Sequence, residues 1–187
     1  MNIFVLHHDP VMAAIMQCDK HVVKMIVESA QMLSTAHRML DGTIERRPSV
    51  SGRTMVRYYN HPHLDNVLYK AVHTGHPSTL WTMESRDNYI WHYEHFIALC
   101  DEYQYRYGRK HLTDTNLRGI LSCIPDNIPD VGPTPVKLAM GSNPECMFPE
   151  DPVKSYRLFY QTKQDRFDMV WTKRDVPQWF NVLEEAA

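Results

Sequence analysis

The chain has 187 residues, 43% of them hydrophobic and 22% charged, with a formal net charge of −2. That balance suits one globular domain with a sizeable core and argues against a disordered chain or a strongly basic nucleic-acid coat, though not against a local basic cleft. No apolar run approaches the ~20 residues of a membrane helix, and Met1–Leu6 is too short for a signal peptide, so a cytoplasmic location is expected, with Cys18, Cys100, Cys123 and Cys146 as reduced thiols.

Asn2–Leu6 reads as a short strand or a buried extended end. Asp9-Pro10 pairs an N-cap with a first helical residue and opens a short helix through about Met16. Asp19 can cap a long helix to Leu40, with Gly42 just past its end. Thr43–Asn60 holds Arg46, Arg47, Pro48, Gly52, Arg53, Arg57, Tyr58 and Tyr59. It reads as a basic, aromatic-tipped loop, either a solvated connector or a phosphate-contacting segment.

Leu64, Val67, Leu68 and Val72 predict a helix over His61–His73, stopped at Gly75, and His76-Pro77 begins another that includes Trp81. Asp87–Tyr107 is strongly helical and ends at Gly108; Thr113–Leu121 is shorter. Four prolines from Pro125 to Pro135 predict a pinned loop, and Asn143–Pro149 is irregular. Asp151-Pro152 starts a helix through about Thr162, and a last helical turn is expected near Pro177–Glu184. The expected fold is mainly α: a single domain, 1–187, of about six or seven helices with a short N-terminal extended segment. A monomer is expected.

The long helix at Asp19–Leu40 carries the chemistry. His21, Lys24, Glu28, Gln31 and Thr35 fall within an arc of roughly 80°, and most of the remaining circumference is apolar. Charges flanked by buried faces must pair internally or face a cleft. Lys24 and Glu28 can form an ordinary i,i+4 pair, or the helix can present Glu28 as a catalytic carboxylate. Elsewhere the signals are weaker. His61-x-His63, His92-x-x-His95 and His7-His8 resemble zinc-ligand fragments, but none completes a known zinc spacing. Gly-rich phosphate loops and a Gly-x-Ser-x-Gly turn are missing, so no metal and no cofactor are expected.

Lys24-x-x-x-Glu28-x-x-Gln31-x-Leu33, then His76-Pro77 and Trp81, then an aromatic helix ending in Arg106-Tyr107-Gly108, resembles the pyrimidine-dimer DNA glycosylase superfamily, phage endonuclease V-like, with bacterial and viral relatives. His21 agrees with the same helix, and the similarity covers roughly residues 1–110, with a weaker echo at Asp151-Pro152, Tyr156 and Tyr160.

The resemblance implies an N-glycosylase with abasic-site lyase activity on double-stranded DNA carrying damaged or modified pyrimidines. An N-terminal α-amine would be the nucleophile and Glu28 the catalytic carboxylate. Because the bulky Asn2 is expected to protect Met1, the nucleophile here would be the Met1 amine. His21, Lys24, Gln31 and His76 would lie toward the DNA, and Arg53, Arg57, Lys173 and Arg174 are phosphate candidates by residue type. Two alternatives stand beside this one: another base-modifying or base-transferring enzyme on the same scaffold, and a catalytically silent nucleic-acid-binding module.

Overall fold

Local capping chemistry sets most helix ends in the computed structural model, which describes residues 1–180. Asp9 accepts the Val11 and Met12 N–H groups at 2.8 and 2.9 Å and opens α1 (Pro10–Ile15). α2 (Asp19–Leu40) has Cys18, not Asp19, at its N-cap; the Asp19 carboxylate is taken by Arg106 and Thr172 instead. His76 and His111 cap α3 (Pro77–Glu84) and α5 (Leu112–Leu121) through Nδ1. Ser85 opens α4 (Arg86–Tyr107), which ends at Gly108 with φ +69°. Asp151 opens α6 (Pro152–Gln161). Single 3-10 turns lie at Pro144–Cys146, Thr162–Asp165 and Gln178–Phe180. The rest of the turn expected near Pro177–Glu184 lies outside the described residues.

Two segments differ from the reading of the sequence. Thr43–Asn60 is a β-hairpin rather than a loop: β1 (Thr43–Pro48) pairs antiparallel with β2 (Met55–Asn60), Ile44 opposite Tyr59 and Arg46 opposite Arg57. Gly52, at φ +69°, turns the chain between them. All six β1 residues are exposed, so no inward-facing apolar residues mark the strand by alternation.

His61–His73 is irregular, not helical. Its carbonyls at Asp65, Leu68 and Tyr69 accept from Arg38, and the Val72 N–H donates to Thr35 Oγ1. Polar groups that a helix would bond internally are drawn to α2 instead.

The core is one cluster in which α2 packs on α3, α4 and α5, and α1 on α4. Ile3, Phe4, Val5 and Leu6 lie inside it without forming a strand. Asn2 Oδ1 accepts the Ile3 and Phe4 N–H groups at 2.8 and 3.2 Å, and Phe4 sits at φ +58°. A positive φ on a non-glycine residue costs about 1–3 kcal/mol, which the packing of the Phe4 ring on His21, Phe159 and Tyr160 offsets.

A buried ionic chain ties the ends of the fold together. Arg106 donates to Glu102 (2.7 Å), Asp19 (2.8 Å) and the Ile15 carbonyl (3.0 Å), and Arg174 closes on Glu102 at 2.9 and 2.8 Å. The described residues thus give a mainly α fold of six α-helices plus one two-stranded sheet. None of their helices is long and apolar enough to cross a membrane.

Candidate active site

The polar stripe of α2 divides by depth. Its ends, His21 and Thr35, are buried; Glu28 and Gln31 are partly covered and Lys24 is exposed. His21 turns inward, with Nδ1 2.7 Å from the Tyr160 hydroxyl, which also accepts the Cys18 N–H at 2.8 Å. Burial, with Lys24 and Lys163 adding positive charge, pushes the His21 ring down to about 4, so it is a neutral core residue at pH 7. Thr35 ties Gln31 to Val72.

At the middle of the stripe, Glu28 meets the start of the chain. Its Oε2 accepts the Asn2 N–H at 3.0 Å, and the Met1 amine nitrogen lies 3.6 Å from the same oxygen. Its Oε1 is 3.1 Å from the Lys24 ammonium. The Met1 side chain is only 4% exposed although the residue as a whole is partly accessible, so the accessible part is its main-chain end. The amine is thus held beside the Glu28 carboxylate. Asn2 completes the anchor by donating Nδ2 to the Ala139 carbonyl at 3.0 Å.

His76 joins this group. Its Nδ1 accepts the Ser78 N–H at 3.2 Å, which leaves the proton on Nε2. Burial lowers its pKa first and the neighbouring terminal amine second, while Glu28 acts the other way. A neutral imidazole, a carboxylate, an amine and the Lys24 ammonium therefore converge.

The other residues singled out in the sequence lie elsewhere. Arg53 and Arg57 are exposed on the hairpin. Lys173 Nζ donates to the Tyr105 carbonyl at 2.8 Å, and Arg174 is occupied by Glu102. His92 and His95 are buried among Thr82 and Gln17. Sequence reasoning passed over Asn2 as an anchor, Arg38 as a brace and Lys163, whose ammonium lies 3.4 Å over the Phe159 ring and is pushed down to about 8 mainly by burial. Only the i,i+4 spacing of Glu102 and Arg106 hinted at the ionic chain.

One triad among the described residues has metal-like spacing: His37, Asp41 and His61. Its donors are already engaged. His61 Nδ1 accepts two backbone N–H groups, which keeps the proton on Nε2, His37 Nε2 meets the Tyr89 hydroxyl at 2.8 Å, and Asp41 accepts from Asp126 and Asn127. A metal ligand must offer a free lone pair, so the triad fits a capping network better than an ion.

Compared with protein-family models, curated proteins and solved structures, the chain matches none. The chemistry must therefore be argued from the geometry itself. An amine beside a carboxylate can attack an electron-poor carbon while the carboxylate takes up the proton released and stabilises positive charge nearby.

Proposed function

We propose that the protein is a DNA base-excision enzyme, an N-glycosylase with abasic-site lyase activity on damaged or modified pyrimidines. The observation that carries this reading is the Met1 amine, 3.6 Å from Glu28 Oε2 at the end of a buried segment. In the reaction the amine lone pair attacks C1′ of the nucleotide and the glycosidic bond breaks toward the base, which leaves with the electron pair and takes a proton. Glu28 receives the proton of the attacking amine and stabilises the positive charge that develops on the sugar. Ring opening gives an imine, and loss of a C2′ proton then expels the 3′-phosphate. In this reading Lys24, 63% exposed beside Glu28, meets a backbone phosphate.

The test is strand incision at an abasic site and at a cyclobutane dimer. Glu28→Gln is expected to lower the rate by about 10²–10⁴-fold while leaving the fold intact. Extending the terminus by Gly-Ser is expected to abolish incision with little change in melting temperature. Full activity in either variant contradicts the reading. A second reading, a base-transferring enzyme that uses Glu28 alone, draws on the Asn2 N–H, which holds Oε2 more closely than the amine does. It expects the extended protein to keep its activity.

A further inference from the structure

Behind the hairpin lies a cavity of about 480 Å³, bounded by the end of α2, the two strands and residues 65–71. Arg38 braces its floor. The five N–H donors of that guanidinium are matched by five acceptors: the carbonyls of Tyr59 (2.8 Å), Asp65 (2.8 Å), Leu68 (3.0 Å) and Tyr69 (2.7 Å), and the Asp65 carboxylate. Arg38 and Asp65 therefore cancel one another's charge and offer a ligand nothing. They do make the wall rigid.

Three other cations line the same cavity: Arg47, Arg57 and Lys70. None of them pairs with a carboxylate among the described residues. The Arg47 guanidinium stacks over the Tyr58 ring at 3.9 Å, which fixes its plane. Arg57 stands directly opposite Arg46, on the other face of the strand pair from Arg47 and Tyr58, so it adds positive potential to the wall without joining Arg47 on one face. The hairpin segment holds four arginines against one glutamate, a surplus of three positive charges in a chain whose net charge is −2. Charge of this sign, gathered beside a preformed hollow, attracts anions.

We propose that this cavity is an anion site that takes a phosphate group, held by Arg47 and Lys70 on the wall that Arg38 braces. Guanidinium groups match phosphate oxygens in pairs, and a stacked one loses less freedom on binding. The phosphate can belong to a nucleic-acid backbone or to a free mononucleotide. The site stands without the amine chemistry. It leans on the excision reading for one consequence alone: Arg38 lies ten residues beyond Glu28, so on a duplex the anchor sits ~15 Å along α2 from the reacting sugar, about four base-pair steps.

Titration of thymidine 5′-monophosphate and, separately, of an undamaged DNA duplex tests this on the intact chain and on the Arg47→Gln/Lys70→Gln variant. The variant is expected to lose at least tenfold in affinity. For the duplex, the dependence of log affinity on log salt should flatten by about one unit for each phosphate contact removed. Loss confined to the duplex assigns a backbone phosphate, and loss confined to the monophosphate assigns a free nucleotide. Equal affinity of both proteins for both ligands, or no binding of either ligand by the intact chain, overturns the site. If the variant fails to fold, inorganic phosphate added to the intact protein must shift the NMR signals of the Arg47 and Lys70 side chains, and unmoved signals overturn the site equally. Neither titration reads incision, so failure here leaves the Met1–Glu28 chemistry to its own test.

Discussion

Asn2 does at the scale of one residue what a longer segment would otherwise have to do. Its side chain closes a turn on the Ile3 and Phe4 N–H groups, grips the Ala139 carbonyl and leaves its own N–H for Glu28. Asn2→Ala should therefore cost about 1–3 kcal/mol, because buried N–H groups lose their acceptor, and should lower incision by releasing the amine. Thermal melting and incision rate check the two effects; a variant unchanged in both would show that the anchor lies elsewhere. Glu28 stood out in the sequence because a charged stripe on an oily helix has few exits. Lys24 was legible beside it from the same spacing, and Met1 and His76 came with the family resemblance, but Asn2 did not stand out, since it is an ordinary polar residue until the fold brings its N–H to Glu28.

At the scale of elements, Gly42 fixes how the hairpin leaves α2. A methyl group there would run into the Arg38 carbonyl oxygen and lie 2.8 Å from that of Asn60. Gly42→Ala is expected to destabilise by about 1–3 kcal/mol, read as a lower melting temperature, and wild-type stability would contradict the junction as described. Arg106 plays the matching part between α1, α2 and α4. Arg106→Ala leaves Glu102, which is 3% exposed, with Arg174 as its remaining partner, and takes a partner from Asp19 and the donor from the Ile15 carbonyl, so a loss of about 1–3 kcal/mol is expected in denaturant unfolding. Helices α1, α4, α5 and α6 were readable from caps and apolar spacing. The hairpin was not, because its stability comes from turn geometry and contact with α2 rather than from a buried face. The apolar spacing at 61–73 misled for a related reason: Arg38 competes for the carbonyls that a helix there would need.

For the whole molecule, buried histidines set the response to acid. Burial pushes His21 and His37 down to about 4, His95 to about 3, and His92 well below its ordinary value. Each is neutral in the fold and gains a proton on unfolding once the pH drops below about 6.5. Stability is therefore complete above that value and falls as pH falls, by about 1.4 kcal/mol per pH unit for each group inside its window. Burial alone would raise Asp19 and Glu102, but hydrogen bonds outweigh it, from Thr172 and Arg106 on Asp19 and from Arg174 and Arg106 on Glu102, and leave both lowered. Their contribution is lost only below the ordinary carboxylate range, so the histidines act first. The melting temperature should decline steadily from pH 6.5 to 4.5, and a flat profile across that range would contradict neutral core histidines. The proposed chemistry spans the same molecule from its first residue to the centre of α2, and borohydride reduction during reaction with abasic-site DNA tests it most directly. The account predicts a covalent protein–DNA adduct whose attachment maps to the Met1 amine and is lost on terminal acetylation; an adduct on a lysine such as Lys24 or Lys163, or none at all, would contradict it.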